Sequence, residues 1–321
     1  TCYHAKVMDT CMDTMVDLLS DICLRSVFDP QEVERERQVI LQEIRMIEDT
    51  PDEQVHVLFA KAAWGDHPLG RSILGVPETV ANFDSERIKG FFSRAYQPER
   101  IVVAAAGNLQ HDSFCSLINA SFDVVGKENH FPERKPPALN RTIKNYQKDL
   151  EQVHLCLGVK GVHATEPRRY DCAILNVILG GNMSSRLFQE IRERRGLAYS
   201  VFSFLSLYSD IGTLGVYVGM DNTNTDEVLD IIVNEMASMK KTAVDCSDFE
   251  NAKQYLKGGL YLAAESTENQ MTRIAQNEIN FGRHIPLQEV EENIDKVTPE
   301  SVLELAHDLF QDDAVALTLL G

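Results

Sequence analysis

Apolar residues recur at helical spacing near the start of the chain. Met12, Met15, Val16, Leu19, Ile22 and Cys23 fall along one face, as an amphipathic helix requires. Thr10 and Asp13 have the spacing of a capping box, which predicts the start of that helix. A second start is predicted at Asp29-Pro30, with Asp29 as the N-cap and Pro30 as the first helical residue. Along this second helix Val33, Ile40 and Ile47 recur every seven residues as one stripe. Elsewhere the period drops to two. Ala198 to Tyr208 alternates and is rich in aromatic and β-branched residues, which predicts a strand. Gly196, just ahead of it, is predicted to end a helix in the left-handed conformation. Cys2–Met8 and Val153–Gly158 also read as strands. Strands followed by helix pairs and then further strands predict an α+β fold rather than a doubly wound parallel sheet.

The pattern repeats. Asp29 to Ile40 aligns with Asp245 to Leu256 at an offset of 216, and Phe83 to Phe92 with Val297 to Ala306 at 214. The strand-like Ile101–Gly107 aligns with Val315–Gly321. Three segments at nearly one offset predict two copies of one domain. The expected boundaries are 1–126 for the first domain, 127–143 for a linker containing Phe131-Pro-Glu-Arg-Lys-Pro-Pro137, and 144–321 for the second. On this reading Thr1 corresponds to about Gly215, so the first copy is expected to lack roughly 70 residues at its front.

Composition narrows the function classes. The chain has 321 residues, of which 44% are hydrophobic and 25% charged, which is ordinary globular usage. Its longest apolar stretches, such as Ala314–Leu320, are too short to cross a bilayer. A formal charge of −18 repels phosphate backbones, so neither nucleic acid nor membrane is expected as a partner. The same charge suits basic peptides. Seven scattered cysteines with no CxxC pair point to a reducing compartment, and a cytoplasmic location is the expectation. The nine histidines include no pair spaced by three or four residues, so histidine spacing marks no metal site.

Glu36 and Glu43 lie on the Pro30 helix, two turns apart and beside its apolar stripe, so the spacing predicts one shared, buried face. A buried carboxylate needs a proton, an arginine or a metal ion. The plainer alternative is a solvated charged helix, as the run Glu32–Arg37 invites. The repeat bears on this choice. At an offset of 216 the partners of the two glutamates are Ala252 and Gly259, while Asp29, Glu34 and Gln38 keep their residue type. One copy thus carries a polar device that the other lacks.

The segment Phe28-Asp-Pro-Gln-Glu-Val-Glu-Arg-Glu-Arg-Gln-Val-Ile-Leu-Gln-Glu-Ile-Arg45 resembles the third-ligand helix of the pitrilysin/insulinase-type zinc metallopeptidases, which include the mitochondrial processing peptidases. Ser184-Ser-Arg-Leu-Phe-Gln-Glu-Ile-Arg-Glu-Arg-Arg-Gly-Leu-Ala-Tyr-Ser200 resembles that family's second-half signature, and His67–Gly75 is a further match. The resemblance runs along essentially the whole chain and is closest to short bacterial members. It implies two homologous domains, each an antiparallel-rich sheet packed with helices, closing like a clam around an unfolded peptide. It also implies a Zn2+ cofactor held in part by Glu43, with Glu36 supporting the site from two turns earlier. The family's two histidine ligands and its water-activating glutamate come from an H-x-x-E-H helix. No such motif occurs in this sequence. In the family that helix precedes the segment resembling Thr1–Val7, so the polypeptide as written is expected to be inactive.

Arg192 and Tyr199 stand seven residues apart across the predicted helix end and strand start. By resemblance they donate hydrogen bonds to the substrate carbonyl as negative charge develops on it. Without the resemblance, the run Arg192–Arg195 reads as a solvated helix end and Tyr199 as a sheet residue. Leu179-Gly-Gly-Asn182 reads as a turn leading into a helix, with an anion cradle as the weaker alternative. His154 reads as a satisfied sheet residue, and Trp64 with His67 as a packed connection. The function expected is therefore a zinc metalloendopeptidase acting on unfolded or presequence-like peptides, with a homodimer or a heterodimer with a related subunit as the assembly. The alternative is an inactive homologue serving as a partner or scaffold subunit.

Overall fold

The computed structural model describes residues 1–122, 134–311 and 314–321, so part of the expected linker (127–133) lies outside the described residues. The first stretch is helical: α1 (Met12–Leu24), α2 (Pro30–Glu48), α3 (Pro51–Trp64), the short α4 (Pro77–Val80), α5 (Ser85–Ala95) and α6 (His111–Ser121). Then follow β1 (Thr142–Tyr146), β2 (Val153–Gly161), α7 (Arg169–Leu179), a π-helical turn (Phe188–Arg194), β3 (Ala198–Leu207) and β4 (Gly212–Met220). The chain closes with α8 (Thr225–Lys241), α9 (Cys246–Ala264), α10 (Thr267–Phe281), α11 (Leu287–Lys296), α12 (Pro299–Leu309) and β5 (Val315–Leu320). The fold is α+β.

The repeat reappears in the element lengths. Helices α2 and α9 each have 19 residues and start 216 apart, while α5 and α12 each have 11 and start 214 apart. Asp29 caps α2 as expected, accepting from the Gln31 N–H at 2.8 Å. The Thr10–Asp13 capping box does not form. Thr10 is drawn into a 3-10 turn, Asp9–Cys11, where the Asp9 carboxylate takes its N–H and α1 starts only at Met12.

Two compact units emerge, each drawing on both halves of the chain. The first comprises Thr1–Gln42, Val76–Glu133 and Tyr261–Ile285. Here α1 packs on α6. Phe28 meets Phe92 edge-on at 5.0 Å, and Phe92 stacks on Tyr96 at 4.2 Å. A cleft of 440 Å³ opens between Ala105–Leu109 and the start of α10. Among the described residues Cys2–Met8 and Ile101–Gly107, expected as strands, join no sheet. Strand β5, which aligns with 101–107 in the sequence, is by contrast held between β1 and β2. Unpaired, Val102 and Val103 are each 42% exposed.

The second unit comprises Glu43–Gly75, Arg134–Leu260 and Pro286–Gly321, and it holds the sheet, ordered β1-β5-β2-β4-β3. Strand β1 runs parallel to β5, and every other pair is antiparallel. Odd-numbered β2 residues (Val153, Leu155, Leu157, Val159) face a core built with Ile174 and Leu175 of α7, Ile232 of α8 and Leu305 of α12. Even-numbered positions face α3, whose Val55, Phe59 and Ala63 recur every fourth residue. Glycine makes room on this second face. A Cβ at Gly158 would stand 2.5 Å from Phe59 Cζ, and one at Gly215 would strike the Phe204 ring. A residue with a side chain at either position would push the ring off the sheet.

Candidate active site

The π-helical turn carries the arginine run. Leu187 and Ile191 anchor it in the core, both fully buried. Gly196 closes it at φ +62°, in the left-handed region as expected. The closing bonds run from the Gly196 N–H to the Arg192 carbonyl (3.1 Å) and from the Leu197 N–H to the Ile191 carbonyl (2.9 Å). The second spans six residues, one more than the α-helical equivalent, because the turn itself is wider.

Strand β3 starts directly afterwards and bulges at once. Ala198 opposes Met220 and Ser200 opposes Gly219, so Tyr199 is the extra residue with no partner on β4. A bulge re-aims a side chain out of the alternating pattern: counted back from the buried Val201 and Ser203, Tyr199 would face inward, yet it is 78% exposed. The aimed ring meets the guanidinium: Arg192 Cζ lies 4.6 Å from the Tyr199 centroid and 4.9 Å from that of Phe188. The structure thus joins Arg192 to Tyr199. Phe188 was not singled out in the sequence, although it sits four residues before Arg192, where a helical neighbour is expected.

The neighbouring charges are taken up. Glu190 accepts from Arg194 Nη1 at 2.8 Å and from Arg195 Nη2 at 2.7 Å, and Glu227 accepts from Arg195 Nη1 at 2.9 Å. These bonds hold the half-buried Glu190 carboxyl below its usual range and the Arg195 guanidinium above. Arg192 has only a 3.9 Å contact from Nε to Glu193. Among the described residues its Nη groups bond to nothing, so they remain able to donate to a carbonyl oxygen.

Glu36 and Glu43 do share one face of α2, but that face is exposed, which corrects the expectation of burial. At 100° per residue they stand roughly 60° and 80° from Val33, just beyond the covered arc that includes Ile40, Ile44 and Ile47. Among the described residues neither carboxylate makes a hydrogen bond or an ion pair.

Other candidates resolve as structural. Gly180 and Gly181 form a turn on the Asn176 carbonyl, and Gly180 abuts β3, where a Cβ would come within 2.6 Å of the Ser203 nitrogen. His154 is buried and hydrogen-bonded through Nδ1 to the Tyr217 hydroxyl at 2.9 Å. Burial holds His154 and His56 below the usual histidine range, with Asp52 opposing the shift in both. The same burial pushes Tyr217 up to about 12. Trp64 is buried and His67 is tied to Leu69 and Lys135, as a packed connection should be.

Two family models match the chain: "Insulinase (Peptidase family M16)" over residues 1–76 and "Peptidase M16 inactive domain" over residues 82–256. A protein of Bacillus subtilis (strain 168), described as "Uncharacterized zinc protease YmxG", is 40% identical over 321 residues, covering 100% of this chain and 78% of its own. The chain belongs to the insulinase family of peptidases. A second relative, "Uncharacterized zinc protease ML0855" of Mycobacterium leprae (strain TN), is 36% identical over 314 residues, covering 96% of this chain and 71% of its own. The fold is shared with a protease from Helicobacter pylori, at a TM-score of 0.90 with 19% identity over 98% of this chain and 78% of that one. Complex III2 from Candida albicans holds a chain of the same fold, with TM-score 0.87, 19% identity and the same two coverages of 98% and 78%.

The relatives' names raise the question of zinc. Among the described residues no group of three or more His, Cys, Asp or Glu side chains stands close enough to hold a metal ion. Glu43 offers one carboxylate, and structural or catalytic zinc takes at least three protein donors. The described residues of this M16 chain do not by themselves fit a zinc ion.

Proposed function

We propose that this chain forms most of a metalloendopeptidase that cleaves unfolded or presequence-like peptides. The observation that carries the reading is the Arg192–Tyr199 pair, stacked at 4.6 Å on a bulge while the adjacent arginines are neutralised. A guanidinium and a phenol both donate, and a peptide carbonyl only accepts. Together they suit a carbonyl oxygen that gains negative charge during attack. Strand β3 is the sheet edge next to them. The Ser203 N–H in mid-strand is taken by the Gly180 carbonyl at 3.0 Å; the edge on the Tyr199 side of it suits strand addition by an extended peptide, which binds main chain and is indifferent to sequence. The net charge of −18 favours basic peptides.

Zinc enters this reading from the relatives' names alone. Glu43 would provide one ligand and Glu36 would steady it from two turns earlier, with the H-x-x-E-H residues supplied by sequence ahead of Thr1. The division into domains at 1–126 and 144–321 and a cytoplasmic location belong to the same proposal. The test is made on the polypeptide from the full reading frame. Zinc content near one per chain, lost in Glu43→Gln, with cleavage of unfolded peptides slowed in Arg192→Ala while the metal stays, is the expected result. Retained zinc in Glu43→Gln, or full turnover in Arg192→Ala, would overturn it.

A second reading is a non-catalytic subunit. Its support is the match of residues 82–256 to an M16 domain described as inactive and the shared fold with a chain of Complex III2. It predicts a stable complex with a related chain and no peptide cleavage by either the full polypeptide or this complex.

A further inference from the structure

Two rings flank Arg192, and only one of them belongs to the pair proposed to meet the substrate. Arg192 Cζ lies over the Phe188 face at 4.9 Å and over the Tyr199 face at 4.6 Å. A guanidinium is planar, its N–H groups radiate in that plane, and rings attract it through its faces. Two ring faces within 5 Å of the guanidinium carbon oppose rotation of the side chain, while its Nη groups keep their capacity to donate. An exposed arginine otherwise samples many rotamers, and each must be given up when a ligand binds.

The backbone around the stack is specialised to make it. The π-helical turn adds a residue per turn between the core anchors Leu187 and Ile191 and the strand. The bulge at Tyr199 then brings the second ring out of the β alternation. Salt bridges to Glu190 on the turn and to Glu227 on α8 take up Arg194 and Arg195 without engaging Arg192. Phe188 itself is only partly buried against the core, so its apolar contact does not require an aromatic ring.

We propose that Phe188 is a positioning residue: with Tyr199 it clamps the Arg192 guanidinium so that its in-plane N–H groups are aimed before a peptide carbonyl arrives. This rests on the reading of Arg192 and Tyr199 as carbonyl donors, and the clamp has a readout of its own. In the 321-residue chain, the Arg192 Nε–H proton resonance should be shifted upfield by the two rings. It should move toward its unstructured position in Phe188→Leu and stay in Phe188→Tyr. In the full-length protein, Phe188→Leu should lower kcat roughly fivefold, the size of an exposed cation–π contact. KM should stay within about twofold, because aim matters most as charge develops. Phe188→Tyr should restore the rate, and in an Arg192→Ala background Phe188→Leu should cost nothing further. An unmoved Arg192 resonance in a folded Phe188→Leu protein overturns the clamp. So does a kcat loss that persists without Arg192, since Phe188 would then be acting through packing alone. If Arg192→Ala leaves turnover intact while the resonance moves as expected, the clamp stands and the carbonyl-donor reading falls.

Discussion

The contact between Gly158 and Phe59 offers a stability test whose sign depends on the background. Phe59 is 5% exposed, and its ring lies where a Cβ on Gly158 would stand, 2.5 Å from Cζ and 3.2 Å from Cε2. Thr213 Cγ2, also 3.2 Å away, closes the other side. Gly158→Ala therefore overpacks α3 against the sheet. Overpacking costs about 1–3 kcal/mol, from which about 0.5–1 kcal/mol is recovered because alanine loses less backbone freedom than glycine. The net expectation is a loss of about 0–2.5 kcal/mol. Phe59→Ala alone should cost about 3–5 kcal/mol by opening a cavity. With the ring gone, the new methyl has space and partly fills that cavity. Gly158→Ala should then be neutral or stabilising, giving a coupling of about 1–3 kcal/mol. Urea unfolding of the four proteins, compared at constant m, measures this cycle. Additive effects within about 0.5 kcal/mol would refute the claim that glycine is at Gly158 to admit the ring.

Two further tests are quick to perform. His56 and His154 have folded-state pKa values below the ordinary one, so the unfolded chain binds more protons and stability should fall as pH drops below about 6.5. Melting curves from pH 7.5 to 5 should show a shallower slope for His56→Phe than for the parent, and equal slopes would exclude His56 as a contributor. Gly196→Ala places a Cβ at φ +62° with nothing near it to clash. Backbone strain alone should then cost about 1–2 kcal/mol in thermal or urea unfolding, and no loss would mean that the turn has relaxed.

Residue periodicity located the helices well where caps and stripes agree. Asp29 and Pro30 marked the start of α2 because both act on adjacent backbone. Thr10 failed as a cap for a reason outside its own motif: the Asp9 carboxylate competed for the same backbone. Alternation found β3, yet could not tell that Ile101–Gly107 would stay unpaired, since a strand exists only with neighbours to bond. Glu36 and Glu43 were legible as a shared face, and their exposure was not, because 60–80° from a stripe lies inside or outside the cover according to what packs there.

From its residues alone this protein determined an α+β fold, a repeat with an offset near 215, membership of a peptidase family, and the identity of Arg192 and Tyr199 as a pair worth following. Those properties follow from local rules: spacing, capping and residue type act over a few neighbours or recur as a pattern. Tertiary structure decided the rest. Helix α3 sits on a sheet built from the later part of the chain, the turn before β3 widens to a π-helix, and the bulge swings Tyr199 onto Arg192 beside Phe188. Each of these joins segments distant in sequence or adds a residue to a regular ladder, and its energy comes from partners that no local pattern names.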